Sequence, residues 1–211
     1  MARVRRQLLD AAAELSARDA RLARFITAVG PPDLRRGRPP GTHFAELVRA
    51  VCYQQLAGAA ARAIHGRLVA LFADGPTPEA VLALRAQRLR SVGLSAAKAR
   101  TIRDLARRVV DGDVQLDRVA RLPDAEVVRE LTLVQGIGPW TAEMFLIFQL
   151  GRLDVWPVQD FGVRKGYARI HALDPPPTAK ELEPLGAPYR PYRTVAAWYC
   201  WRAVDTALPT G

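Results

Sequence analysis

Cysteine is nearly absent from this chain: Cys52 and Cys200 are the only two in 211 residues. Both fall in apolar-patterned segments and read as buried thiols. They are too few for a disulfide framework, a four-cysteine cluster or a cysteine-based zinc site. Histidine is scarce as well, and His43, His65 and His171 fall at no metal-ligand spacing, so ordinary surface or core roles are expected. Long apolar runs are missing. No stretch reaches membrane-spanning length, and the arginine-studded N-terminus has no signal-peptide core. We therefore expect a soluble, cytoplasmic, monomeric protein of bacterial type with no membrane partner. Strand-like alternation between turns is lacking too, as are repeats and low-complexity tracts.

Apolar residues, at 49%, are abundant enough to exclude a disordered chain, and the length suffices for one large domain or two small ones. The formal net charge of +10 and the pI of about 10.5 imply an acidic partner, nucleic acid first and an anionic membrane surface second. Arginine accounts for 28 of the 31 basic residues, and alanine is common. Genome composition can produce that bias, so charge only supports the reading.

The periodicity is helical throughout, which predicts an all-α fold of many short helices. Val4, Leu8, Leu9, Ala12 and Leu15 share one face, as do Leu22, Phe25, Ile26 and Val29. PPDLRRGRPPG, residues 31–41, reads as an irregular linker. A stripe of Leu47, Val48, Val51, Cys52 and Leu56 follows, then Ile64, Leu68, Leu71 and Phe72. Thr77-Pro78-Glu79 is a helix start, Ser95 caps the helix carrying Ile102, Leu105 and Val109, and Gly112 suits its end. Asp124 opens another helix. DPPP at 174–177 precedes a last one around YRTVAAWYCWRAV.

Two stretches carry chemistry. LVQGIGPWTAEMFLIF, residues 133–148, breaks at Gly136-Ile137-Gly138 and restarts at once with Pro139. The plain reading is one helix ending and another beginning. The sharper reading is that glycines let a ligand approach bare backbone, leaving successive N–H groups outward as an anion nest at a helix N-terminus. Phosphate is the natural ligand, and such a helix-hairpin-helix grips a DNA strand without reading bases. In LDVWPVQDFGVRKGYARI, residues 153–170, Asp160 precedes a helical pattern. It suits a simple N-cap, and equally a fixed negative charge that stabilises positive charge developing on a sugar.

Together these stretches resemble the helix-hairpin-helix DNA glycosylases, and within them the 3-methyladenine DNA glycosylase II branch. VGPPDLRRGRPP, FAELVRAVCYQQLAG and YRPYRTVAAWYCW extend the resemblance over roughly residues 19–205. It implies two helical lobes, residues 1–44 with 157–211 and residues 45–156, with the hairpin at about 124–150 and the active site in the cleft between lobes. Only 43 residues precede Phe44, so a compact form without an additional β-rich domain is expected. Gly136, Ile137, Gly138 and Thr141 would bind the DNA backbone, and Asp160 would be the catalytic aspartate. Trp140 stands where bifunctional relatives carry a Schiff-base lysine, which argues for a monofunctional enzyme. Trp140 and Trp201 match aromatic positions near the base pocket, where an electron-rich ring stacks on a cationic purine. Tyr53 joins them, with core packing the equal alternative. Met144 stands where some relatives have an aromatic, and Trp198 is expected to be buried. Gln55 or Leu56 would fill the gap left by a flipped nucleotide.

The implied activity is hydrolytic excision of alkylated purines such as 3-methyladenine from double-stranded DNA in base excision repair. The alternatives are a glycosylase of the same fold for deaminated or oxidised bases, and a non-catalytic helix-hairpin-helix DNA-binding protein. No cofactor is expected. A monovalent cation at the hairpin carbonyls is a further implication of the resemblance.

Overall fold

Hydroxyl side chains set many of the helix starts. Thr42 Oγ1 accepts from Ala45 N, Thr77 Oγ1 from Ala80 N and Ser95 Oγ from Lys98 N, each at 3.2 Å. These bonds satisfy first-turn N–H groups that have no intrahelical acceptor. Thr178 and Glu181 close a reciprocal capping box. Gly112, at φ +82°, follows the end of the helix that Ser95 opens.

The computed structural model describes residues 2–34, 41–56 and 58–205. Among the described residues there are twelve α-helices and no strand. They are α1 (Ala2–Arg18), α2 (Ala20–Val29), α3 (His43–Tyr53), α4 (Gly58–Val69), α5 (Pro78–Ala83) and α6 (Ala86–Ser91). The remainder are α7 (Ala96–Val110), α8 (Asp124–Leu131), α9 (Pro139–Phe148), α10 (Phe161–His171), α11 (Ala179–Leu185) and α12 (Arg193–Asp205). The all-α class is as expected. Of the proposed linker, residues 35–40 lie outside the described residues. Two stripes end sooner than their periodicity suggests. Leu56 lies beyond the end of α3 and is exposed, and Leu71 and Phe72 lie beyond α4. Leu9 faces solvent although it falls on the apolar face of α1.

The chain divides into two units, Met1–Gly37 with Gly151–Gly211, and Arg38–Leu150. The junctions set from sequence, 44/45 and 156/157, fall later along the chain in both cases. At the second junction the reason is hydrogen bonding. Thr194 N donates to Leu153 O at 2.9 Å, Val155 N to Thr194 Oγ1 at 3.0 Å and Trp156 Nε1 to Leu182 O at 3.0 Å. The extended approach to α10 is thereby tied to α11 and α12.

The Arg38–Leu150 unit buries Leu47, Val51, Leu68, Leu89, Ile102, Leu105, Leu131 and Leu146. Cys52 lies in this core, where burial pushes its thiol up to about 11. In the other unit Leu15, Leu22, Phe25, Val163, Leu182, Val195 and Tyr199 are buried; Phe25 meets the Tyr199 ring edge-on, and the Tyr199 hydroxyl donates to Gly30 O at 3.0 Å. Tyr189 OH donates to Asp19 Oδ2 at 2.6 Å, fixing the α1–α2 junction. Helices α10 and α12 pack backbone against backbone. A Cβ at Gly166 would stand 1.8 Å from Cys200 O, so only glycine permits the approach. Arg169 Nη1 secures the same pair by donating to Ala203 O at 2.9 Å and Val204 O at 3.0 Å. Cys200 is buried at this crossing, and burial raises its thiol pKa as well.

Gly166→Ala should therefore push α10 away from α12. We expect a loss of about 3 kcal/mol, a fall in Tm of roughly 6–12 °C, read by thermal denaturation. An unchanged melting curve would show that the crossing is looser than described.

Candidate active site

The two hairpin glycines do different work. Gly136 sits at φ +88°, and a Cβ there would meet Thr101 Oγ1 at 2.2 Å. Both backbone and packing demand glycine at that position. Gly138 caps α9 at φ −94°, ψ 175°, a conformation open to any residue, and a Cβ there would meet nothing within 4 Å. Only Gly138 therefore leaves open space beside bare backbone. The expected run of outward N–H groups is also modified. Ile137 N donates to Val134 O at 3.0 Å, its side chain is buried, and Pro139 has no N–H. The positive end of the α9 dipole remains, together with the N–H of Thr141 in its first turn. The Thr141 side chain is turned inward, 4% exposed, and its hydroxyl accepts from Gln54 Nε2 at 3.1 Å. The Thr141 hydroxyl is thus taken up within the fold, and only the backbone of this residue is left to meet a ligand at the helix start.

Residues that sequence reasoning missed hold this turn in place. Gln54 Nε2 also donates to Gly136 O at 3.1 Å. Asp104 Oδ2 accepts from Gln135 N at 2.8 Å and is paired with Arg108 at 3.2 Å. Lys98 Nζ donates to Cys52 O at 2.9 Å and Gln54 O at 2.7 Å, capping the end of α3, and burial lowers its pKa. The turn that follows carries Gln55 at φ +53°, a left-handed conformation unusual outside glycine, and then Leu56, 40% exposed. Of the two wedge candidates, Leu56 is the apolar one.

Within the same unit, α3 and α9 line a cavity of about 280 Å³ that includes Tyr53, Trp140 and Met144, together with Glu46, Arg49, Phe145, Phe148 and Gln149. Three of the four residues assigned to a base pocket are thus brought together. Tyr53 belongs to this wall rather than to a closed core. Arg49 lies over its ring, 5.5 Å from the centroid, and pairs with Glu46 at 2.7 Å. The His65 ring meets it edge-on at 6.3 Å.

The fourth, Trp201, is placed otherwise. It lies on α12, and its indole Nε1 donates to Asp160 Oδ1 at 2.9 Å. The same oxygen accepts from Val163 N at 2.9 Å, which makes Asp160 the N-cap of α10. The carboxylate is half-buried at the positive end of a helix dipole, where negative charge is favoured. Gly162 makes room for this pairing: a Cβ there would come to 3.0 Å from both Asp160 Oδ1 and Trp201 Cδ1. The glycine two residues after the aspartate was the sequence signal for it. Trp198 departs from expectation. It is half-buried under Arg202, 5.9 Å from the ring centroid, and the buried aromatic of α12 is Tyr199.

A glycine-bracketed hairpin, an aromatic cavity beside it and a carboxylate capping the following helix define a base-excision scaffold, and comparison with known proteins agrees. Residues 48–189 match the family described as HhH-GPD superfamily base excision DNA repair protein. The chain belongs to that superfamily. It is 36% identical over 203 residues to the DNA-3-methyladenine glycosylase 1 of Schizosaccharomyces pombe, covering 95% of this chain and 89% of that one. The solved structure of the Schizosaccharomyces pombe 3-methyladenine DNA glycosylase in complex with abasic DNA superposes with a TM-score of 0.85 at 34% identity. That match covers 94% of this chain and 98% of the other. A DNA-3-methyladenine glycosidase from Bacillus halodurans gives a TM-score of 0.81 at 34% identity, covering 92% and 88%.

The unequal glycines generate a stability test. Gly136→Ala should lose about 2 kcal/mol or more through combined φ strain and overlap with Thr101. Gly138→Ala should lose no more than about 1 kcal/mol, the cost of a poorer N-cap. Denaturant titration of both variants checks this, and equal losses would contradict the division of roles.

Proposed function

We propose that this protein is a monofunctional DNA glycosylase that hydrolyses the N-glycosyl bond of alkylated purines such as 3-methyladenine in duplex DNA. The observation that carries the reading is Asp160, a carboxylate held by two donors at the start of α10 and following the glycine hairpin in sequence. A structural cap needs only the Val163 N–H. The second donor, an indole from α12, fixes the carboxylate's orientation beyond what capping requires. The similarity to 3-methyladenine glycosylases supports the choice of alkylated purines over deaminated or oxidised bases.

A base inside a duplex is out of reach, so the nucleotide is flipped out at a cost of a few kcal/mol. Leu56 fills the gap, and the backbone at Gly138 with the α9 N-terminus grips a phosphate. The cavity at about 280 Å³ is just below the range of drug-sized sites, roughly 300–1,000 Å³, and suits a single base. Tyr53 and Trp140 offer it π-faces, and a ring carrying positive charge gains further from them. Alkylation at a ring nitrogen makes the base cationic and a good leaving group. The glycosidic electron pair then leaves with the base, which becomes neutral. Asp160 stabilises the positive charge developing on the sugar and orients water, whose oxygen bonds to the anomeric carbon as its proton passes to the carboxylate or to solvent. Trp140 in place of a lysine leaves water as the nucleophile. The product is an abasic site in an unbroken strand, and no cofactor is needed. Such an enzyme works where the chromosome lies, in the cytoplasm of a bacterial-type cell.

Asp160→Asn should abolish base release while leaving DNA affinity intact, since asparagine still caps the helix. Release from duplexes carrying alkylated, deaminated and oxidised bases, with borohydride added to trap any Schiff base, measures activity, specificity and reaction type together. Turnover by the variant within a few-fold of wild type, or a stoichiometric covalent adduct, would refute the mechanism.

Gly138→Ala should weaken binding to undamaged duplex of any sequence. Losing one phosphate contact should also reduce the magnitude of the salt-dependence slope by roughly one. Unchanged affinity and slope in this folded variant would leave Gly138 a joint between helices.

A further inference from the structure

Three side chains of α7 reach three different points around the hairpin. Lys98, Thr101 and Asp104 follow one another at spacing three, each next to the last on the helix surface. Lys98 Nζ donates to Cys52 O and Gln54 O at the end of α3. Thr101 stands against Gly136, and Asp104 Oδ2 takes the Gln135 N–H. The α3 turn and the hairpin therefore rest on a common base, and Gln54 ties one to the other. Its Nε2 donates to Gly136 O, ahead of Gly138, and to Thr141 Oγ1, just beyond it, both at 3.1 Å. An amide nitrogen has two hydrogens, and both are spent. From Gln54 the chain passes at once into Gln55, at φ +53°, and exposed Leu56.

We propose that Gln54 is a positioning residue: it locks the Leu56 turn to the hairpin, so that the phosphate gripped at Gly138 dictates the base step at which Leu56 enters the duplex. This rests on reading Leu56 as the residue that fills the gap. The tolerance is small. Phosphates along one strand are spaced about 3.4 Å apart on the helix axis, so a slip of roughly that size would send Leu56 to a neighbouring step. Leu56 lies two residues beyond Gln54, at most about 7 Å of main chain, and an anchor so near leaves it little slack. The Lys98 ammonium holds the main chain of the same residue, accepting position Gln54 O at 2.7 Å, where carbonyls ending a helix carry partial negative charge. Gln54 is thus fixed by its side chain to the hairpin and by its carbonyl to α7. The exposed tip that follows carries none of these bonds, which leaves Leu56 free to meet DNA while its base stays in register.

The test measures release of 3-methyladenine from methylated DNA, offered both as duplex and as heat-denatured single strand. A base already out of a duplex leaves no gap to fill, so the single strand reports the chemistry without Leu56. Gln54→Leu should lower release from duplex about tenfold and release from single strand by no more than about threefold. Leu56→Ala should show the same pattern. The double variant should lose no more than about twofold beyond the larger single loss, because one residue acts through the other. Thermal melts, together with binding to undamaged duplex within about threefold of wild type, confirm that the hairpin still folds and grips. Lys98→Met, which removes the donor to Gln54 O, gives the same pattern if the glutamine variant does not fold. Losses that multiply in the double variant, or equal losses of Gln54→Leu on both substrates, overturn the assignment and leave Gln54 a support for the hairpin alone. A Leu56→Ala variant as active on duplex as wild type overturns the gap-filling reading and the assignment with it. Release from neither substrate by wild type overturns the glycosylase reading itself, a result distinct from the others.

Discussion

The approach of α10 to α12 at Gly166 is the constraint on which the placing of Asp160 and Trp201 rests. With backbone against backbone at that point, neither helix can shift outward without losing the contact or inward without a clash. One residue on from Cys200, Trp201 therefore reaches back to Asp160, and Gly162 clears its path. In the reaction proposed above, a carboxylate oriented before the cation forms needs no reorganisation as it forms. The two glycines of α10 and the indole of α12 are one device, although they stand about forty residues apart in sequence.

The second unit solves a related problem with hydrogen bonds rather than close packing. Its hairpin turn and the turn after α3 are both irregular, and irregular backbone holds its shape only when its polar groups have fixed partners. Gln54 joins the two turns directly, Lys98 closes the carbonyl end of α3, and Asp104 takes the Gln135 N–H. Gln55 keeps its left-handed conformation directly after Gln54, whose side chain and carbonyl are both tied down.

The fold class was legible because helical periodicity and capping residues act locally: Thr77, Ser95 and Asp160 do in the structure what their spacing implies. The aromatic positions were legible as a set and not individually. Tyr53, Trp140 and Met144 share one cavity, while Trp201 serves the carboxylate. Nothing in a linear sequence separates a tryptophan that stacks from one that donates, since both read as an aromatic on a helix. Thr141 shows the same limit: its place in the first turn of α9 was legible, whereas the burial of its hydroxyl against Gln54 emerges only from packing. Lys98, Asp104 and Gln54 were invisible because each acts across a long sequence separation, on backbone groups or on a partner that no motif names.

The scarcity of cysteine, and the burial of both that exist, bears on survival as well as folding. Agents that methylate ring nitrogens of DNA also attack thiolates, and it is the thiolate, not the thiol, that reacts. Cys52 is pushed up to about 11 by burial, and Cys200 is raised too, beneath the crossing of α10 and α12. Neither offers a nucleophile to an electrophile at neutral pH, and neither is accessible to one. A protein that removes alkyl lesions is thus built to remain unmodified in the chemical environment that creates its substrate.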